Sequence, residues 1–267
     1  MIGVFDSGYG GLTVLKEFVN LLPSYDFCYL GDNARTPYGT RSFDTVYRYT
    51  LECVKHLFDN SCTLVILACN TASAKALRTI QQCDLPVLDP KRRVLGVIRP
   101  TAEVISQYTK TGHVGILATS GTVQSLSYPI EIAKINPDIK VFQEACPMWV
   151  PIVENNEYQN DGADYFVKKH IDNLLLKSPD IDVILLGCTH YPLLIKKMGK
   201  YIPKGVQILP QGEIVAKSLV EYLKRHPEMD SKLKKNGLRI FQTTDSPESF
   251  DKFASIYYGE KIKSQKV

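Results

Sequence analysis

No stretch of this sequence approaches the roughly 18 consecutive apolar residues that a membrane span needs. Its longest apolar runs, such as Leu64 to Ala68 and Val183 to Leu186, are strand-sized. An excess of one charge is also lacking: 32 lysines and arginines face 28 aspartates and glutamates, a net +4. That is too mild to make nucleic acid or an anionic membrane the main partner. The 7 cysteines are odd in number, and no two form a C-x-x-C pair. Neither a disulfide framework nor a zinc ribbon is suggested, and no His/Cys/Asp spacing makes a credible metal site. The chain opens directly on the strand-like Met1-Ile2-Gly3-Val4-Phe5, without the charged and apolar regions of a signal peptide. The expectation is a cytoplasmic protein with reduced thiols.

What is present is the composition of an ordinary globular protein, with 267 residues, 44% hydrophobic and 22% charged. A disordered chain is excluded, and the length suits one large domain or two small ones. Short apolar runs alternate with helix-length amphipathic stretches. Ile2 to Phe5, Phe27 to Leu30, Leu64 to Ala68 and Val94 to Ile98 read as strands, as do Val114 to Leu117, Ile181 to Leu186, Val206 to Leu209 and Leu238 to Gln242. Leu12 to Leu22, Ser42 to Asp59, Thr71 to Gln82, Ile214 to Arg225 and Pro247 to Tyr257 read as helices, and Asp84 to Arg93 as a loop. Such alternation without hairpin signals predicts βαβ units and a parallel-sheet α/β fold.

Two pairs of passages resemble each other in the same chain order. Gly3-Val4-Phe5-Asp6-Ser7 parallels Gly115-Ile116-Leu117-Ala118-Thr119, and Ala68-Cys69-Asn70-Thr71 parallels Gly187-Cys188-Thr189-His190. The pattern reads as a weak internal duplication. Two related halves would present strand C-termini to a shared cleft, where ligands bind in open α/β sheets.

Cys69 and Cys188 each end an apolar strand and precede a small polar pair. A helix N-terminus there would favour the thiolate and lower its pKa. One such thiolate removes a proton from a carbon acid while the other thiol returns a proton to the opposite face, inverting that carbon. A regulatory disulfide is the other use of such a pair, but it would leave no gap for a substrate. Cys28, Cys53 and Cys146 read as small core residues, and Cys62 and Cys83 as loop or surface residues.

Asp6 and Ser7, at the first strand's end, suit proton transfer and hydrogen bonding to a carboxylate or ammonium, or serve as a cap and turn. His190 lies two residues beyond Cys188, where it can relay that thiol's proton. The other histidines, His56, His113, His170 and His226, read as surface or packing residues. Asn70, Thr71 and Thr189 are small donors suited to an amino-acid carboxylate. Tyr38-Gly39, after Pro37, offers backbone N–H groups to the same end. Gly8-Tyr9-Gly10-Gly11 falls short of a dinucleotide fingerprint, because Thr13 stands at the third glycine position.

Four passages together resemble the glutamate racemase family: Val4-Phe5-Asp6-Ser7-Gly8, Gly31-Asp32-Asn33-Ala34-Arg35-Thr36-Pro37-Tyr38-Gly39, Ala68-Cys69-Asn70-Thr71-Ala72, and Gly187-Cys188-Thr189-His190-Tyr191-Pro192-Leu193-Leu194. Gly96-Val97-Ile98 and Pro147 to Glu154 are also similar to it. The resemblance implies two parallel-sheet α/β domains related by a pseudo-two-fold axis, with the active site at their interface. The first would comprise residues 1–97 plus 208–267, the second residues 98–207. It implies a cofactor-independent racemase that supplies D-glutamate for peptidoglycan synthesis, using no metal, PLP or nucleotide. Cys69 would deprotonate D-glutamate and Cys188 L-glutamate, with Asp6 partnering Cys69 and His190 partnering Cys188. Asp6, Ser7, Tyr38, Gly39, Asn70, Thr71, Thr189 and His190 match substrate contacts, and Glu154 matches a further acid. A homodimer is the expected assembly. Tyr9, where a small residue is commoner, and the basic linker Pro90 to Arg93 depart from the pattern. The readings that stay open are a racemase for aspartate or another acidic amino acid, a non-catalytic amino-acid-binding protein, and a nucleotide-binding α/β protein.

Overall fold

The computed structural model describes all 267 residues. Ten strands form two sheets. The first contains β1 (Ile2–Asp6), β2 (Phe27–Gly31), β3 (Leu64–Leu67), β4 (Arg93–Gly96), β9 (Arg239–Thr243) and β10 (Ser264–Lys266), in the order β10-β9-β2-β1-β3-β4. The second contains β5 (His113–Ala118), β6 (Lys140–Ala145), β7 (Val183–Gly187) and β8 (Gln207–Leu209), in the order β6-β5-β7-β8. Every strand pair is parallel. The expected parallel α/β fold is therefore present.

The central strands are buried on both faces. That is why β1, β2, β3 and β7 read as unbroken apolar runs rather than alternating ones: every residue in each is buried. The helices covering them carry one apolar stripe each. In α2 (Phe43–Asp59), Val46, Thr50, Cys53, Val54 and Leu57 are buried at helical spacing, and the Ser42 hydroxyl caps the first turn by accepting from Thr45 N at 3.2 Å. The largest apolar core runs from Ile2, Val4 and Ile66 beneath the first sheet to Leu117, Ile184 and Leu186 beneath the second. The halves thus share one core.

The four-strand orders β2-β1-β3-β4 and β6-β5-β7-β8 are the same arrangement repeated. In each, the chain leaves the first strand to one side and returns on the other. The crevice where connections diverge lies outside the C-termini of β1 and β3 in one half, and of β5 and β7 in the other. Those termini carry Asp6-Ser7 and Cys69, and Thr119 and Cys188.

Three local expectations need correction. The helix foreseen over Thr71 to Gln82 is interrupted at Ala76, between α3 (Asn70–Lys75) and a short helical turn over Leu77–Thr79. A wide π turn then spans Ile80–Asp84, and helix continues to Leu88 through the foreseen loop. Pro86 explains the wide turn, since it has no N–H to return and its ring would strike the Gln82 carbonyl in a regular helix. Val94 to Ile98 is strand only to Gly96, and helix α4 (Ile98–Val104) begins at its end. Cys62 lies in the loop before β3, as expected, but is fully buried there, packed beneath Gly3. Cys83 is exposed, while Cys28, Cys53 and Cys146 are buried core residues.

Gly115 in β5 illustrates how closely the second half is packed. An added Cβ there would lie 2.8 Å from Leu174 Cδ2 and 3.3 Å from Ile181 Cγ2. Gly162, near the start of a surface helix, has open space around it. Gly115→Ala is expected to destabilise by about 1–3 kcal/mol through overpacking. Gly162→Ala is expected to be neutral or to stabilise by up to about 1 kcal/mol. Urea denaturation midpoints of the two variants check both signs.

Candidate active site

The halves meet where their strand C-termini face each other, and the contact is close. A Cβ on Gly10 would stand 2.6 Å from Nδ1 of His190. The loop after β1 therefore packs its bare backbone against the turn after β7, and only glycine fits. Hydrogen bonds cross the same seam. Thr189 Oγ1 donates to Asp6 Oδ1 at 3.3 Å, Gly121 N donates to the Gly39 carbonyl at 2.7 Å, and the hydroxyls of Thr71 and Thr119 lie 2.9 Å apart.

Between the halves lies a cavity of about 290 Å³. The site residues expected from sequence line it: Ser7, Tyr38, Gly39, Cys69, Asn70 and Thr71 from the first half, and Cys188, Thr189 and His190 from the second. Asp6 and Glu154 stand behind the lining. Each is one link away, through Thr189 Oγ1 to Asp6 Oδ1 at 3.3 Å and through His190 Nε2 to Glu154 Oε1 at 2.9 Å.

The two thiols have unlike neighbours. Cys69 caps α3, where its sulfur accepts from Ala72 N at 3.5 Å and its S–H donates to Ser7 Oγ at 3.6 Å. The expected fall in its pKa does not occur. Burial, with the Asp6 charge beside it, pushes the Cys69 thiol up to about 12. The helix behind it has only 6 residues, and its donors are outweighed by the loss of water. Asp6 itself is raised by burial, against the pull of His190 and the Gly8 and Gly11 amides.

Cys188 ends β7 and lies 3.8 Å from Nδ1 of His190. It precedes a 3₁₀ turn over Tyr191–Leu194, not the α-helix N-terminus foreseen. His190 is buried, which disfavours its charge. Cys188 and Glu154 more than offset that, and its pKa lies well above the ordinary histidine range. Glu154, the last residue of a short helix over Trp149–Glu154, also accepts from Thr36 Oγ1 at 3.4 Å. The first thiol thus faces a carboxylate and the second an imidazolium, so the two sides of one cavity carry opposite electrostatics.

The small donors divide further. Thr71 spends its hydroxyl on Thr119, and Tyr38 turns its hydroxyl away from the cavity to the buried Asp32 carboxylate. Asn70 Nδ2 is buried and has no partner in the protein. The glycine loop is committed as well. Gly8 N is held by Asp6 and Gly10 is packed on His190, which leaves no free cradle for a pyrophosphate and counts against the nucleotide reading. Tyr9 stacks on Phe250 and Tyr257 with ring centroids 5.3 and 5.8 Å away, and Tyr257 meets His190 edge-on at 5.6 Å. The residue that departs from the family pattern therefore anchors the C-terminal helix (Pro247–Tyr258) behind the site.

Sequence reasoning missed Thr119 and the Pro147 to Pro151 segment as cavity lining. Thr119 had a signal, because it occupies in the second half the place of Ser7 in the first.

The sequence profile of the Asp/Glu/Hydantoin racemase family matches residues 2–219. A glutamate racemase of Geobacter metallireducens is 38% identical over 98% of this chain and 93% of its own. Among solved structures, the glutamate racemase isoform RacE1 of Bacillus anthracis superposes with a TM-score of 0.90 at 36% identity, covering 100% of this chain and 97% of that one. The glutamate racemase of Francisella tularensis, solved with D-glutamate, gives 0.87 at 29% identity, covering 100% and 96%. On fold, site and near-complete coverage alike, this chain belongs to the Asp/Glu/Hydantoin racemase family and is an amino-acid racemase.

Proposed function

We propose that this racemase interconverts L- and D-glutamate with Cys69 and Cys188 as its two proton-transfer groups. The observation that carries the reading is that two free thiols, one from each half, line the same small cavity with opposite electrostatics behind them. A glutamate bound between them exposes one face of Cα to each sulfur. In one direction Cys188 takes the α-proton of L-glutamate as thiolate, and Cys69 donates its thiol proton to the other face of the carbanion, giving D-glutamate. In the reverse direction Cys69 removes the proton and Cys188 returns one. Each turnover leaves the two thiols with exchanged protonation, which the next opposite turnover or solvent restores.

The environment fits these roles. The imidazolium of His190, held by Glu154, lies 3.8 Å from the Cys188 sulfur, within reach to exchange a proton with it. On the other side, burial and Asp6 keep Cys69 in its thiol form, ready to donate. For Cys69 to act as base, Asp6 takes up its proton as the substrate arrives. A buried carboxylate whose pKa is raised suits that exchange. The Cα proton of an amino acid is very weakly acidic, so the carbanion needs stabilisation. Ser7, Asn70 and the backbone at Tyr38-Gly39 supply donors for the carboxylate ends, while the hydroxyls of Thr71 and Thr189 are held by Thr119 and Asp6, in a cleft that excludes water.

The chemistry assigns no step to a metal, PLP or nucleotide. The family resemblance supports a role for the product, D-glutamate, in peptidoglycan synthesis, and so in cell-wall formation and cell shape. The same reading divides the chain into residues 1–97 plus 208–267 and residues 98–207. It makes the working form a cytoplasmic homodimer. No helix is long and apolar enough to cross a membrane.

Cys69→Ala and Cys188→Ala are each expected to lower racemisation by about 10²–10⁴-fold, the usual worth of a positioned proton-transfer group. Circular dichroism on L- and D-glutamate, with L- and D-aspartate in parallel, measures this. Full activity in either variant sinks the two-thiol account, and faster turnover of aspartate sinks the substrate assignment.

Asp6→Asn is expected to separate activity from stability. A carboxyl whose folded pKa is raised destabilises the fold above its unfolded pKa, increasingly until the folded pKa is passed. The amide variant is therefore expected to match wild type near pH 4, to unfold at higher urea at pH 7, and to lose most activity. Equal or lower urea midpoints for the variant at pH 7 contradict this.

A further inference from the structure

The proposed substrate site depends on one side chain whose amide is oriented by a hydrogen bond from the other half of the molecule. Asn70 opens α3 beside Cys69, and its amide can present either oxygen or nitrogen to the cavity. A substrate carboxylate needs the nitrogen. The amide's partners lie in the other half of the molecule and in the returning segment.

Four buried groups form a chain behind Asn70. Val97 carries a backbone carbonyl, which can only accept. Thr101, on α4, donates its hydroxyl to that carbonyl at 3.2 Å. Gln211, just before the helix over Gly212–Arg225, places Nε2 2.8 Å from Thr101 Oγ1 and 3.3 Å from the same carbonyl. Turned the other way, Gln211 would set its oxygen against a carbonyl oxygen, so the carbonyl fixes which end is the amide nitrogen. The nitrogen's other hydrogen goes to the Tyr128 hydroxyl oxygen at 2.6 Å. Tyr128 then has one proton to give, and Asn70 Oδ1 receives it at 2.5 Å. Burial raises the tyrosine's pKa and keeps that proton in place. Asn70, Thr101, Tyr128 and Gln211 are all at least nine-tenths buried.

Donation runs outward from the Gln211 amide nitrogen on both sides, to the acceptor-only Val97 carbonyl through Thr101 and to the oxygen of Asn70 through Tyr128. The nitrogen of Asn70 is left as the end without a protein partner, on a residue that lines the cavity. A buried donor left unpaired costs about 1–3 kcal/mol, and a bound carboxylate removes that cost. We propose that Tyr128 and Gln211 are positioning residues that lock the Asn70 amide with Nδ2 toward the cavity, as a preformed donor to a carboxylate of the substrate. The inference rests on the glutamate reading above. It adds that the donor on one half is set by hydrogen bonds from the other half and from the returning segment.

The test compares wild type, Tyr128→Phe, Gln211→Met, Asn70→Ala and the double variant Tyr128→Phe/Asn70→Ala, with kcat and KM measured in both directions. Tyr128→Phe keeps the ring and removes only the donor to Asn70. It is expected to raise KM for L- and D-glutamate alike by about 10-fold, the value of a hydrogen bond to a charged group, with kcat changed less than about 3-fold. Gln211→Met, one link further away, is expected to raise KM by a smaller factor. In the Asn70→Ala background, Tyr128→Phe is expected to have no further effect on KM, which a merely structural role would not produce. Unchanged KM in whichever single variant folds, or an undiminished Tyr128→Phe effect without Asn70, overturns the proposal. A wild-type protein with neither turnover of glutamate nor a glutamate-induced thermal shift overturns the underlying glutamate reading as well.

Discussion

A buried seam between two sheets governs this molecule. Asp6 sits fully buried at the tip of β1, reached across the seam by the Thr189 hydroxyl. His190, on the same turn as Thr189, is packed against the backbone of Gly10 and tied to Glu154. A carboxylate and an imidazole are held there out of water, and each is tolerable only because the other half supplies hydrogen bonds or opposite charge. Neither half alone holds this arrangement. The cavity, the two thiols and the electrostatic contrast between them all follow from bringing two strand-end crevices face to face.

That contrast is the chemical content of the fold. Two thiols in identical surroundings would have no reason to hold different protonation states. Here the Cys69 side carries Asp6 and deep burial, and the Cys188 side carries His190 with Glu154. The polar ties are arranged with equal asymmetry. Tyr38 looks away to Asp32, Thr71 is spent on Thr119, and Asn70 keeps a free nitrogen. The seam is thus already charged and already short of one acceptor, which is the complement of a small zwitterion with carboxylates.

Much of this was legible in the sequence for a physical reason. Parallel strands buried on both faces must be written as continuous apolar runs, so β1, β3 and β7, and the polar residues just past their ends, stood out. Two of the four edge strands escaped. β6, Lys-Val-Phe-Gln-Glu-Ala, is only partly buried, and β10 is three polar or charged residues long. The helix after Cys69 breaks at Ala76 despite good helix formers on both sides, and Pro86 reshapes only the later turn over Ile80–Asp84. The direction of the Cys69 pKa was misread because local sequence shows the helix start but not the opposite half that buries it. Thr119 comes from the second half, and its match to Ser7 in the first is the one sequence signal of its use. The hydrogen-bond chain through Tyr128 and Gln211 links residues far apart in sequence, and no local pattern announces it.

The central claim is that two different sulfurs serve the two faces of Cα. Racemisation of unlabelled L-glutamate in D₂O, followed over the first turnovers by mass spectrometry of each separated enantiomer, tests it most directly. The account predicts that the D-glutamate formed carries deuterium at Cα from the outset, while the remaining L-glutamate keeps its hydrogen. Early D-glutamate that retains the original hydrogen, or deuterium appearing in L-glutamate as fast as D-glutamate forms, would contradict it.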